Sequence, residues 1–181
     1  MGLRPARCYG KTERAYTRKS RQKSKDYVKG IPEPKIHRYE HGIVNRQFQV
    51  KFFLVSKNRV QIRHNALEAA RISLTKNLEK RLPKDSFFLK ILVYPHHVLR
   101  ENVLATGAGA DRFQSGMRLS FGKPIGLAAQ VKPGQRIIAI SCDFAGEAEV
   151  RKSLKIASSK LPTPCAVEKA VISQPVAVQA G

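Results

Sequence analysis

Ten lysines and arginines crowd the first thirty residues, at Arg4, Arg7, Lys11, Arg14, Arg18, Lys19, Arg21, Lys23, Lys25 and Lys29, and only Glu13 and Asp26 oppose them. Leu, Ile, Val and Phe are almost absent from the same stretch. Such a segment cannot offset its ordering entropy by burying apolar surface, so alone in water it is expected to be disordered and to add nothing to a core. Residues 1–34 therefore read as a basic, extended arm and connector that needs a polyanion to order it. Tyr9, Tyr16 and Tyr27 are interleaved with the cations, and flat rings beside Lys and Arg suit stacking on unpaired bases while the cations meet phosphates. A solvated charge run with incidental tyrosines is the alternative, but this density of charge exceeds what solubility requires.

The bias extends through the chain: 34 Lys plus Arg against 13 Asp plus Glu in 181 residues leave a formal charge of +21. Charge this far from zero repels itself in the folded state and points to nucleic acid or a lipid surface as partner, not to a neutral soluble enzyme. Lipid is the weaker choice, because no apolar run approaches the roughly 18 residues that span a bilayer. The N-terminus lacks a signal peptide's apolar core, and Ala6 stands where a myristoylation motif wants Ser or Thr. Cys8, Cys142 and Cys165 are odd in number and scattered, which predicts reduced thiols in the cytoplasm, with neither a disulfide framework nor a zinc site.

From Gly30 the composition changes, and the prolines at 32 and 34 make an extended connector. A globular domain is expected over 35–162. Ile36–Tyr39 reads as a short strand; 47–55 and 60–63 alternate apolar with polar, as half-buried strands do. Asn65 stands three residues before Glu68 in a capping-box pattern, and Leu67, Ala70, Leu74 and Leu78 predict an amphipathic helix ending near Leu82-Pro83. The apolar run 86–94 is short enough to favour a buried strand, which 96–101 continues beyond a bend. Residues 102–117 hold Gly107, Gly109 and Gly116 without periodicity, a long loop of the kind that is usually functional or disordered. Short strands are expected at 117–121 and 127–131, a type II turn at Lys132-Pro133-Gly134-Gln135, and a strand at 136–144. Val150, Leu154, Ala157 and Leu161 stripe a second amphipathic helix over 146–161, stopped by Pro162. The low-charge tail 163–181 adds a strand or stays mobile. The class is α+β: one domain of mixed strands and two amphipathic helices behind a basic N-terminal arm.

Catalytic chemistry finds no support. Gly107-Ala108-Gly109 begins like a dinucleotide fingerprint, but Arg112 occupies the third glycine position and the βαβ setting is missing. His37, His41, His64, His96 and His97 share no metal-ligand spacing and no acidic cluster, so in this basic chain they read as RNA contacts or packed side chains. No Gly-x-Ser-x-Gly elbow supports a nucleophile. Arg112, Arg118 and Lys123 instead lie among glycines, which present cations on backbone able to approach another surface closely. An RNA contact and an ordinary mobile surface loop both fit that composition.

Several strings, in order and spacing, resemble the universal large-subunit ribosomal protein family called L ten-e in archaea and eukaryotes and L sixteen in bacteria. They are Arg4-Pro5-Ala6-Arg7-Cys8-Tyr9, Ile31-Pro32 with Lys35-Ile36, Ala66-Leu67-Glu68-Ala69-Ala70-Arg71-Ile72, Tyr94-Pro95-His96-His97-Val98-Leu99-Arg100, Gly109-Ala110-Asp111-Arg112-Phe113-Gln114-Ser115-Gly116-Met117-Arg118, and Phe121-Gly122-Lys123-Pro124 with Gly126. The resemblance implies an α/β-hammerhead body on large-subunit rRNA near the central protuberance and the stalk base, in the cytoplasm. The implied partners are rRNA, neighbouring ribosomal proteins and transient tRNA, with no enzyme activity, cofactor, membrane or homo-oligomer. Carried onto this chain, rRNA contacts fall on the arm cations Arg4, Arg7, Lys11, Arg14, Arg18, Lys19, Arg21, Lys23, Lys25 and Lys29, on Tyr9 and Tyr16, and on Lys35, Arg38 and Lys123. The loop facing the peptidyl-transferase centre and the aminoacyl-tRNA corridor would carry Gly107, Gly109, Asp111, Arg112, Gln114, Gly116 and Arg118. The end at Gly181 suits the archaeal form, whereas Ser120 departs from the small apolar residue common in the family and the segment after Cys165 matches no family landmark. A free-standing RNA- or DNA-binding module is the alternative that composition allows; an RNA-modifying enzyme would need a cofactor cradle or paired acid/base groups.

Overall fold

The computed structural model describes residues 3–10, 28, 30–83, 86–105, 107–118 and 120–172. Two antiparallel sheets carry the body. The larger, of five strands, runs in the order β1 (Glu40–Gly42), β4 (Phe87–Ile91), β7 (Arg136–Cys142), β2 (Val50–Ser56) and β8 (Cys165–Val171). The smaller, of three, runs β3 (Val60–Arg63), β6 (Lys123–Val131), β5 (His97–Glu101).

Alternation along β2 drives the layering. Val50, Phe52 and Leu54 point one way and are wholly buried, with Phe52 opposite Ile140 and Leu54 opposite Ile138 in the register with β7. Against that face pack α1 (His64–Arg81), through Leu67, Ala70, Leu74 and Leu78, and α2 (Glu147–Ser158), through Val150, Leu154 and Ala157. Both helix stripes are the ones the sequence periodicity predicts. Glu147 and Glu149 lie in the first turn of α2, where the helix dipole favours negative charge. The Glu147 carboxylate also accepts from Lys169 of β8 at 2.6 Å and Arg151 at 3.1 Å, which ties α2 to the edge strand.

Several expectations are corrected. The capping box does not form: α1 already begins at His64, Arg63 at its N-cap makes no side-chain cap bond, and Glu68 is held instead by Arg71 at 2.7 and 2.9 Å. The first strand is displaced from 36–39 to Glu40–Gly42, where it finds β4 as partner. Residues 117–121 make turns among the described positions, not a strand, while β6 starts earlier than expected, at Lys123. Pro124, without an N–H to donate, sits next to the register shift between Leu99 and Arg100. The turn at 132–135 forms with Gly134 at φ +75°. Of the two alternatives for the tail, a strand forms at Cys165–Val171, which completes the larger sheet alongside β2. The α+β class is the one observed.

The arm is not wholly separate from the body. Ala6–Tyr9 makes a single 3₁₀ turn whose Tyr9 ring is buried against Leu99 and Ala128. Val28 is buried against Val98 and Leu127. Val98 and Leu127 are directly paired across β5 and β6, so strand alternation puts the two contacts on opposite faces of the small sheet. The expectation that the arm adds nothing to the core fails at these two points: averaged composition hides a single aromatic and a single valine placed where the sheet leaves room.

Candidate nucleic-acid interface

The ends of β5 and β6 collect the first group of expected contacts. Glu101 pairs in register with Lys123, and its carboxylate is bound by the Arg4 guanidinium and by the Tyr9 hydroxyl, which donates at 3.0 Å. Two further bonds fix the turn: Gln61 Nε2 donates to the Tyr9 carbonyl at 3.0 Å, and Arg63 Nη1 to the Arg4 carbonyl at 2.8 Å. The Arg63 guanidinium also stands 5.4 Å over the Tyr9 ring. Burial, and then the bond to Glu101, push the Tyr9 phenol up to about 12, so it remains a neutral donor. Tyr9 is therefore a structural peg whose faces are occupied, which corrects its assignment as a base-stacking ring. Arg7 stays exposed beside it. Lys11, Arg14, Tyr16, Arg18, Lys19, Arg21, Lys23, Lys25 and Lys29 lie outside the described residues.

The loop rises from the same place on a closed neck. Arg100 donates from Nη1 to the Phe121 carbonyl at 2.9 Å and lays its guanidinium 3.4 Å from the Phe121 ring centroid. Gly122, at φ +81°, crosses so close to Glu101 that a Cβ there would lie 2.9 Å from the Glu101 carbonyl carbon. Beyond the neck, none of the described side chains over 102–118 is buried. Gly107, Gly109 and Gly116 all have positive φ, at +138°, +79° and +63°. Gly109 opens a 3₁₀ turn over Ala110–Arg112, and Gln114 Nε2 ties back to the Ala105 carbonyl at 3.0 Å. Asp111, Arg112 and Arg118 are exposed, as are Phe113 at 85% and Met117 at 65%. Apolar side chains held out to this degree on a glycine-rich loop suit contact with another molecule. The dinucleotide reading fails on geometry, since the flanking strands are antiparallel neighbours and not a βαβ unit.

Lys35 and Arg38 are exposed on a second strip that runs beside the start of α1. The Lys35 backbone N–H donates to His64 Nδ1 at 3.2 Å, which makes Nδ1 the unprotonated nitrogen. Burial first, then the charges of Lys35 and Arg63, lower the His64 pKa. Burial and Arg100 lower that of His97 in the same way. Among the described residues no group of His, Cys, Asp and Glu is placed to hold a metal ion, and no helix is long and apolar enough to cross a membrane.

Arg63, Arg100, Glu101 and Phe121 were missed at the level of sequence. Glu101 carried the one available signal, a carboxylate at the foot of the glycine-rich loop; the contacts of Arg63 and Arg100 join segments far apart in the chain, and no periodicity announces them.

Comparisons with known proteins give the family. The family model described as ribosomal protein L16p/L10e matches residues 12–168. Large ribosomal subunit protein uL16 of Methanococcus maripaludis (strain C7) is 46% identical over 168 residues, covering 92% of this chain and 94% of the relative. The proteins of the same name from Thermoplasma acidophilum and Picrophilus torridus are each 45% identical, covering 92% of this chain and 92% of the relative. With most of its length matched on both measures, the chain belongs to the ribosomal L16p/L10e family.

Proposed function

We propose that this protein is a non-enzymatic structural constituent of the large ribosomal subunit in the cytoplasm, bound to large-subunit rRNA near the central protuberance and the stalk base. In this reading the loop helps to shape the aminoacyl-tRNA corridor beside the peptidyl-transferase centre. The observation that carries it is the exposed, glycine-shaped loop on a locked neck, pinned to the first turn of a strongly basic arm. Cations of the arm, with Lys35, Arg38 and Lys123, replace condensed counterions along the RNA backbone, while RNA shape and stacked bases supply specificity. The loop offers Arg112 and Arg118 for phosphates, Gln114 and Asp111 as polar groups, and Gly107, Gly109 and Gly116 for close backbone approach. A free-standing nucleic-acid-binding module would leave the exposed Phe113 and Met117 without use.

Sedimentation of a tagged chain on sucrose gradients tests the reading. Co-migration with large subunits and with translating ribosomes is expected. A tag found only at the top of the gradient overturns it.

A further inference from the structure

Three rings lie in series where the chain passes from the larger sheet to the smaller. Tyr39 stacks on Tyr94 with centroids 5.3 Å apart and planes 21° from parallel. His96 lies on Tyr94 at 4.5 Å and 45°. The local backbone builds this ladder. The Ile91 N–H donates to the Tyr39 carbonyl at 2.8 Å, which holds residue 39 beside the segment. Residues 92–96 then alternate, with Val93 and Pro95 buried and Leu92, Tyr94 and His96 exposed. The His96 N–H returns to the Tyr94 carbonyl at 3.0 Å, a three-residue turn about Pro95 that brings the imidazole against the phenol ring.

The ladder is anchored at one end and open at the other. Tyr39 is half-buried with its hydroxyl oxygen enclosed, whereas Tyr94 is 46% exposed and His96 is exposed. Two exposed rings in series are more than packing requires, because a ring that served only the core would be covered. Cations are at hand: Lys35 and Arg38 are exposed on the segment that leads into Tyr39, with Glu33 before them and Glu40 after them, the latter paired with Lys90. Glu68, the carboxylate whose charge acts on Tyr39, is neutralised by the bidentate grip of Arg71. Imidazole and phenol with cations alongside complement a base and its phosphates; a protein surface would gain more from aliphatic side chains.

We propose that the open end of this ladder, His96 backed by Tyr94, is a stacking platform for an unpaired base of large-subunit rRNA, whose flanking phosphates lie on Lys35 and Arg38. This rests on the ribosomal reading above and adds a site to it, separate from the arm and the loop.

Binding of the full-length protein to a single-stranded adenosine decamer, compared with an abasic ribose-phosphate strand of equal length, separates the two. His96→Ala is expected to weaken adenosine binding about fivefold to tenfold and to leave abasic binding and its salt dependence unchanged. Tyr94→Ala should do the same and Tyr94→Phe should not, with thermal melts showing the body folded. If Tyr94→Ala unfolds the chain, His96→Ala, at the outer end, decides alone. Equal loss on both strands, or on neither, overturns the platform and leaves the ribosomal reading standing; failure of the wild type to bind even the abasic strand at low salt overturns RNA binding itself. In assembled subunits a photoreactive phenylalanine at position 94 should crosslink to rRNA. Crosslinks to tRNA or to a ribosomal protein overturn the assignment of the occupant.

Discussion

At Tyr9, packing and polar bonding coincide in one side chain: the ring closes on Leu99 and Ala128 while the hydroxyl donates to Glu101. Tyr9→Ala is expected to destabilise the protein by about 3 kcal/mol, the cost of emptying a buried aromatic site. Tyr9→Phe keeps the packing and should lose about 1 kcal/mol, since Glu101 retains Arg4. Urea unfolding of the two variants measures both; equal losses would mean that the hydroxyl and not the ring holds the turn. Histidine titration gives a second prediction at this scale. His64 and His97 are both held below the ordinary value of 6.5, in each case first by burial. The unfolded chain therefore takes up protons at a higher pH than the native one, so stability is full above about 6.5 and falls as pH drops toward the lowered native values. His64→Gln should flatten that fall, as read from urea midpoints at about pH 7.5 and 5.5. Glu68 acts lower down: the Arg71 bond depresses its pKa, so its contribution is present above about 4.5 and is lost as pH falls through the native value.

Glycines of like conformation differ in consequence according to the element they serve. Gly122 and Gly109 have nearly the same φ, +81° and +79°, yet a Cβ at Gly122 meets the Glu101 backbone at 2.9 Å while one at Gly109 meets nothing within 4 Å. Gly122→Ala is expected to cost about 2 kcal/mol of global stability by forcing the neck apart. Gly109→Val strains only the loop, so the melting temperature should hold while translation by assembled subunits falls. A large loss of melting temperature in Gly109→Val would show that the loop packs on the body. The same contrast explains which parts of the fold were legible in the sequence. Both helices follow from periodicity, because their buried side chains recur every third and fourth residue, whereas β2 and β7 are buried on both faces over most of their length and read from apolar content as much as from alternation. β1 was displaced and β6 mis-started because register with a partner strand, and not local composition, decides where short strands begin. The neck was invisible for a related reason: the Arg100 and Phe121 contact, like Tyr9 with Glu101, joins segments that only tertiary structure brings together. The capping-box pattern misled because α1 already begins at His64, so Asn65 lies inside the helix and Glu68 bonds to Arg71.

Across the whole molecule the formal charge is +21, an excess that opposes the compact state through self-repulsion. Tyr9 and Val28 fasten the arm to opposite faces of the small sheet, and Arg14, Arg18, Arg21 and Lys25 all fall between those anchors. Replacing these four by glutamine leaves both anchors in place and removes like charges that repel the rest of the molecule. Stability of the free protein at low salt should therefore hold or rise slightly, and never fall. Binding should change in the opposite sense. With up to four fewer phosphates neutralised, the log–log slope of rRNA affinity against salt should flatten by about 3, and incorporation into large subunits should drop most at high salt. Parallel melts, salt titrations of rRNA binding and gradient profiles of the variant read the three quantities independently. Loss of cooperative melting would show that these cations support the fold, and an unchanged slope would show that the arm between its anchors does not meet phosphate.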